Sequence, residues 1–174
     1  EQSTHTFPPF PMLSKDSKDF LHEMLETPSP SGFESKVQAI CREYMKPLVD
    51  EIKKDVHGNQ FYILNKDSEF RVMLCGHVDE IGLMVNSIDE NGYIRVVAIG
   101  GVDPAVLPGQ RVIIQSSQGE IYGVIGRKPI HLTPEKERDK SIELHELWVD
   151  IGARDKKEAE SLVSIADPIV LDVP

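Results

Sequence analysis

Val72-Met73-Leu74-Cys75-Gly76-His77-Val78-Asp79-Glu80-Ile81-Gly82 is the stretch on which the fold turns. The apolar run reads as a short buried strand, and His77 sits where that strand ends. In open α/β sheets, chemistry collects at the carboxyl ends of strands. Residues two apart on extended chain point the same way. Asp79 can therefore accept a hydrogen bond from one nitrogen of His77 while the other nitrogen holds a metal, the usual arrangement behind a metal-bound histidine. A histidine at a strand end also serves as a plain hydrogen-bonded surface group, and the tripeptide alone does not separate the two.

Upstream of this stretch the periodicity is helical. Ser14 to Glu26 carries Phe20, Leu21, Met24 and Leu25 at helical spacing, and Pro28-Ser29-Pro30 ends it. Ser31-Gly32-Phe33-Glu34 fits a capping box for a second helix, with Val37, Ile40, Cys41, Tyr44 and Met45 as its apolar stripe and Pro47 closing it. Val49 to Lys53 and Phe61 to Leu64 read as strands around the turn residues Asp55-Val56-His57-Gly58-Asn59. Two helices followed by three strands open an α/β domain with a mixed sheet.

Downstream the texture changes. Short β-rich runs recur at Ile81 to Val85, Tyr93 to Ile99, Arg111 to Gln115 and Glu120 to Ile125. Turn signals separate them, Asn91-Gly92 being a strong hairpin signal. Even spacing of this kind predicts a small antiparallel barrel. Thr133-Pro134-Glu135 has helix-start chemistry, but the charged stretch to Lys140 lacks an apolar face and reads as an exposed turn or loop. Leu147 to Ile151 is a strand, Asp155 to Leu162 a short capped helix, and Ile169 to Val173 a final strand.

Composition bounds the partners. A chain of 174 residues with 40% hydrophobic and 28% charged residues is long enough to bury a core. A net charge of -10 argues against nucleic acid or an anionic membrane as partner, since both need a basic face. Cys41 and Cys75, the two cysteines, make neither a disulfide framework nor a thiolate cluster, so a reducing cytoplasm is expected. No apolar run approaches a membrane span. Glu1 to Pro11 lacks signal-peptide character, and Phe7-Pro8-Pro9-Phe10-Pro11 reads as an extended lead-in.

The chain resembles the N-terminal half of the dinuclear-metal aminopeptidases that include glutamyl and deblocking aminopeptidases and the tetrahedral (TET-type) peptidases. The resemblance rests on Pro-Ser-Gly-Phe-Glu at 30–34, Asp55 with Gly58-Asn59, the stretch 76–82, Ile99-Gly100-Gly101-Val102-Asp103 and Gly109-Gln110-Arg111-Val112. It continues through Gly123 to Leu132 and Val149-Asp150-Ile151-Gly152-Ala153. The order and spacing of these pieces are specific, and they run from about Leu13 to the end.

The resemblance implies an extended lead-in over 1–12 and the N-terminal part of an α/β metallopeptidase catalytic domain over 13–80. It further implies an inserted PDZ-like β-barrel dimerisation domain over 81–165 and a return strand to the catalytic domain, cut short, over 166–174. It implies two divalent ions, zinc or cobalt, in the complete protein. His77 transfers as a metal ligand and Asp79 as the residue that orients it. The bridging aspartate, the paired glutamates with the general base, and the second histidine fall beyond Pro174. One histidine and its orienting aspartate cannot hold two metals, so the chain alone is expected to be inactive and is read as truncated. The implied substrates are peptides with a free N-terminus, and the implied assembly is a homo-oligomer, from dimer to dodecamer, made through the barrel.

Other residues carry blander readings. Asp55 reads as a turn former, and His57, His5, His22 and His145 as solvated groups. His131 reads as structural, Arg127 and Lys128 as solvated loop, and Tyr122 and Trp148 as barrel core or interface. Two alternative functions stand beside the aminopeptidase. One is a non-catalytic scaffold or dimerisation subunit, which metal titration separates. The other is an endoglucanase, which needs two carboxylates flanking the bond and finds no sequence signal here.

Overall fold

A computed structural model describes residues 13–135 and 140–173. The proline-rich lead-in and most of the charged stretch before Lys140 lie outside the described residues. The chain divides into two compact units, residues 1–27 with 36–76, and residues 28–35 with 77–174.

In the first unit, α1 (Lys15–Glu26) starts where expected, with the Ser14 hydroxyl accepting from the Ser17 amide. It packs on α2 (Ser35–Met45) through a stacked Phe20–Tyr44 pair with centroids 3.8 Å apart. One turn along, the buried Cys41 thiol lies 3.4 Å from the Met24 sulfur. Burial also pushes the Cys41 thiol pKa up. The helix starts four residues after Ser31, so the expected capping box is not formed. Ser31 is spent elsewhere, and the Glu34 carboxylate accepts from the Gly32 amide instead.

The strands β1 (Glu51–Lys54) and β2 (Gln60–Ile63) form an antiparallel hairpin. Asp55 organises its turn by accepting from the amides of His57 and Asn59 and from the Asn59 side chain. Gly58 supplies the left-handed residue at φ +95°.

Two expectations fail here. The run Val72 to Cys75 is not a buried strand, since Leu74 is 93% exposed, Val72 and Met73 are exposed, and Cys75 is exposed. Among the described residues the mixed sheet is likewise reduced to the two-stranded hairpin. The reason is one of pairing. A strand needs a neighbour for its backbone groups, and among the described residues no strand lies beside 72–75.

The second unit is a closed barrel. Its strands are β3 (Gly82–Ile88), β4 (Ile94–Ile99), β5 (Arg111–Ser116), β6 (Gly119–Arg127), β7 (Leu147–Asp150) and β8 (Pro168–Leu171). Their spatial order is β3-β4-β7-β6-β5-β8, closed on itself, with every pairing antiparallel. Alternate residues fill the interior: Leu83 and Val85, Ile94 and Val96, Val112 and Ile114, with Ile125, Val149 and Ile169. The helix α3 (Lys156–Leu162), capped by Asp155, adds Ala159 to this core.

The Asn91-Gly92 hairpin is present. Asp89 accepts from the Asn91 and Tyr93 amides, and a side chain on Gly92 would meet the Asp155 carbonyl at 2.9 Å. Trp148 lies half-buried across Gly126, with Arg95 5.6 Å over its ring, whereas Tyr122 is exposed.

Within the segment 166–174, expected as the return to the α/β part, Pro168–Leu171 forms the barrel strand β8. It pairs with β3 (Leu83↔Ile169) and β5 (Ile113↔Val170) and closes the ring. Ile169 and Val170 are both buried there, and closure pairs both flanks of every strand.

Candidate functional site

The site is built on the two ends of the second unit's first segments. Residues 28–32 run beside residues 78–80 as a strap. Pro30 and Glu80 form a parallel bridge. The Glu80 amide donates to the Ser29 carbonyl (3.0 Å), and the Ser31 amide donates to the Glu80 carbonyl (3.3 Å). Proline suits the middle position because the bridge asks no N–H of it. The buried Ser29 adds its hydroxyl to the Val78 carbonyl (3.0 Å), and its amide donates to the Glu80 carboxylate (2.8 Å). Gly82 follows because the strap passes so close. A Cβ there would lie 2.8 Å from the Ile169 carbonyl oxygen and 3.2 Å from the Pro30 side chain.

His77 and Asp79 come together as their spacing asks. The His77 Nδ1 lies 3.0 Å from both the Asp79 carboxylate Oδ1 and the Asp79 carbonyl oxygen. Both partners are acceptors, so Nδ1 is the donor to them. The ring is 86% exposed at its side chain, so Nε2 is open to solvent. The other carboxylate oxygen of Asp79 accepts from the Ser31 hydroxyl. That hydrogen bond first, and the His77 contact after it, hold the Asp79 carboxyl below the usual carboxylate range. Asp79 thus stays anionic and acceptor-only on both oxygens.

The arrangement presents one imidazole of fixed tautomer, fit to serve as one ligand of a divalent cation. No group of three or more His, Cys, Asp or Glu side chains comes together among the described residues, whereas a zinc ion takes about four ligands. The remaining candidates stand apart. His57 sits in the exposed hairpin turn. His131 is exposed in a short 3-10 turn over Ile130–Leu132, which Thr133 closes by donating to the Pro129 carbonyl. His145 pairs with Glu143 at 3.3 Å, and His22 is exposed. His5 lies outside the described residues. Arg127 and Lys128 are exposed at the end of β6.

Ser29, Ser31 and Glu80 are the partners that the sequence reading did not assign to this site. Ser31 and Asp79 are 48 residues apart, and no local pattern links them. The one signal was the Pro-Ser-Gly-Phe-Glu piece at 30–34, whose serine also fits a helix cap.

Comparison with known proteins adds independent information. A family model described as M42 glutamyl aminopeptidase matches residues 58–174. The lysyl aminopeptidase of Pyrococcus furiosus is 39% identical over 146 residues, 83% of this chain and 42% of that protein. Among solved structures, the TET aminopeptidase of a marine sediment Thaumarchaeota archaeon superposes with a TM-score of 0.85 at 40% identity. That match covers 90% of this chain and 44% of that one. The TET1 peptidase of Pyrococcus horikoshii, described as able to assemble into a tetrahedron or a large octahedral shell, has a TM-score of 0.79 at 32% identity. It is matched over 89% of this chain and 46% of that one. The chain spans less than half the length of these relatives.

Proposed function

This chain belongs to the M42 glutamyl aminopeptidase family, and on that premise we propose that the protein carrying it is a metal-dependent aminopeptidase removing N-terminal residues from peptides. The observation that carries the reading is the His77–Asp79 pair, with Nδ1 bound to the carboxylate and Nε2 facing solvent. Two divalent ions, zinc or cobalt, would when bound lower the pKa of a shared water and polarise the scissile carbonyl. His77 would supply one ligand through Nε2, and Asp79 would hold its tautomer and ring orientation. The other ligands and the general base would come from residues this chain does not contain, so the isolated chain is expected to be inactive. The assembly of a P. horikoshii relative into closed shells supports a homo-oligomer, and we assign its contacts to the barrel.

The test is made on the native protein that carries this chain. Hydrolysis of aminoacyl anilides should fall away on chelation and return with zinc or cobalt. His77→Ala should remove bound metal and lower kcat/KM by at least about 100-fold. Unchanged metal content and activity in His77→Ala would overturn the assignment of His77. A folded protein that neither binds metal nor cleaves anilides would favour the scaffold reading, and release of reducing sugar from cellulose the endoglucanase one.

A further inference from the structure

The strap of residues 28–32 does more than fasten the chain. Both backbone groups of Glu80 are bound to it, and its Ser29 amide takes the Glu80 carboxylate while its Ser29 hydroxyl takes the Val78 carbonyl. These bonds fix the register of the strap against residues 78–80 and set Ser31 beside Asp79. There the Ser31 hydroxyl meets Asp79 Oδ2, leaving Oδ1 for the His77 Nδ1. An aspartate carboxylate turns easily about its second side-chain torsion. On a half-exposed residue, the His77 contact is the one local restraint described on that torsion. A second hydrogen bond to the far oxygen removes that freedom.

The bland alternative for Ser31 is a helix cap. The geometry speaks against it. The α2 helix starts at Ser35, four residues on, and the Ser31 hydroxyl is directed to Asp79.

We propose that Ser31 is a positioning residue for the metal site: its hydroxyl orients the Asp79 carboxylate, which orients the His77 ring toward a divalent cation. This rests on the reading of His77 as a metal ligand. The relay has three members drawn from two segments 46 to 48 residues apart in sequence, His77, Asp79 and Ser31 (77 − 31 = 46; 79 − 31 = 48). Ser31 is exposed, so its hydrogen bond contributes little to folding stability. Its effect should therefore appear in metal affinity and turnover rather than in melting.

The experiment compares Ser31→Ala, Ser31→Thr, Asp79→Ala and His77→Ala in the native protein. Zinc affinity is read by competition with a chromogenic chelator, Tm on the metal-free protein, and kcat and KM on an aminoacyl anilide. Residues that orient a metal ligand are typically worth 10- to 100-fold in affinity or activity. Asp79→Ala should fall in that range. Ser31→Ala, one step further out, should weaken zinc binding by roughly 3- to 10-fold. It should lower kcat with KM little changed and leave the metal-free Tm where it was. Ser31→Thr keeps the hydroxyl and should recover zinc affinity to within about twofold. Wild-type zinc affinity in Ser31→Ala, alongside a loss in His77→Ala, would overturn the positioning role and leave the metal assignment intact. Unchanged affinity in His77→Ala would remove the reading beneath it. If Ser31→Thr fails as badly as Ser31→Ala, packing and not the hydroxyl matters, and the proposal falls.

Discussion

The barrel and the run at 70–76 are both rich in apolar residues, and the structure treats them oppositely. In the barrel, Ile94, Ile114, Val149 and Ile169 are fully buried and every strand is paired on both sides. In the run, Phe70, Val72, Met73 and Leu74 are exposed. The difference lies in where the partner is. Each barrel strand finds its neighbours among residues 82–171, whereas the run has no strand beside it among the described residues. Apolar residues state that a segment requires burial. They do not state that the covering surface lies in the same chain.

That contrast can be broken most sharply by truncating one side chain from each region. Ile114→Ala removes a fully buried stave of the barrel and should cost about 2–5 kcal/mol, read as a lower midpoint in urea. Leu74→Ala in this same chain should change it by no more than about 0.5 kcal/mol. Equal losses would mean the run is covered in solution. Next in size is Gly82→Ala, whose new methyl would press on the Ile169 carbonyl and Pro30. Overpacking of this kind costs about 1–3 kcal/mol, and amide exchange should speed in both β8 and the strap. A loss confined to one of them would separate the strap from the barrel.

Smaller again is Ser14→Ala, which removes the α1 cap at a cost of about 1 kcal/mol. It should lower the helical signal at 222 nm while the barrel amides keep their protection. The smallest effect concerns Asp55. The Asn59 side-chain amide first, and the backbone amides after it, hold its carboxyl below the ordinary value. A depressed folded pKa means stability that is present above the unfolded value of about 4 and is lost as pH falls through the folded one. A carboxyl NMR titration should show Asp55 protonating below that value, and the hairpin turn loosening as it does. A titration at the ordinary value would mean the turn is held by Gly58 and the strands alone.

Legibility in the sequence followed the range of the interactions. Caps and turns are local, so Ser14, Asp155, Asn91-Gly92 and the starts of the barrel strands could be read directly. The His77–Asp79 contact is local too, two residues on extended chain. Closure by β8 depends on Ile169 meeting Leu83, 86 residues away (169 − 83 = 86), and no window of sequence contains both. The same holds for Ser31. Its role was masked by a local pattern, serine three before glutamate, that suits a helix start equally well. The capping box lost because the chain spends residues 31–34 on a turn against Glu80 before the helix begins.

Closure of the ring limits how copies of this protein can meet. With β3 hydrogen-bonded to β8, each barrel strand has a neighbour on both sides among the described residues, which leaves little open edge for a neighbour to extend. If copies meet through the barrel as proposed, side chains on its outer surface, such as Trp148 with Arg95 and Tyr93 beside it, are the groups closure leaves to make the contact. Contacts of that kind are set by shape and charge, so single surface substitutions can retune or redirect them while the hydrogen-bonded frame stays intact.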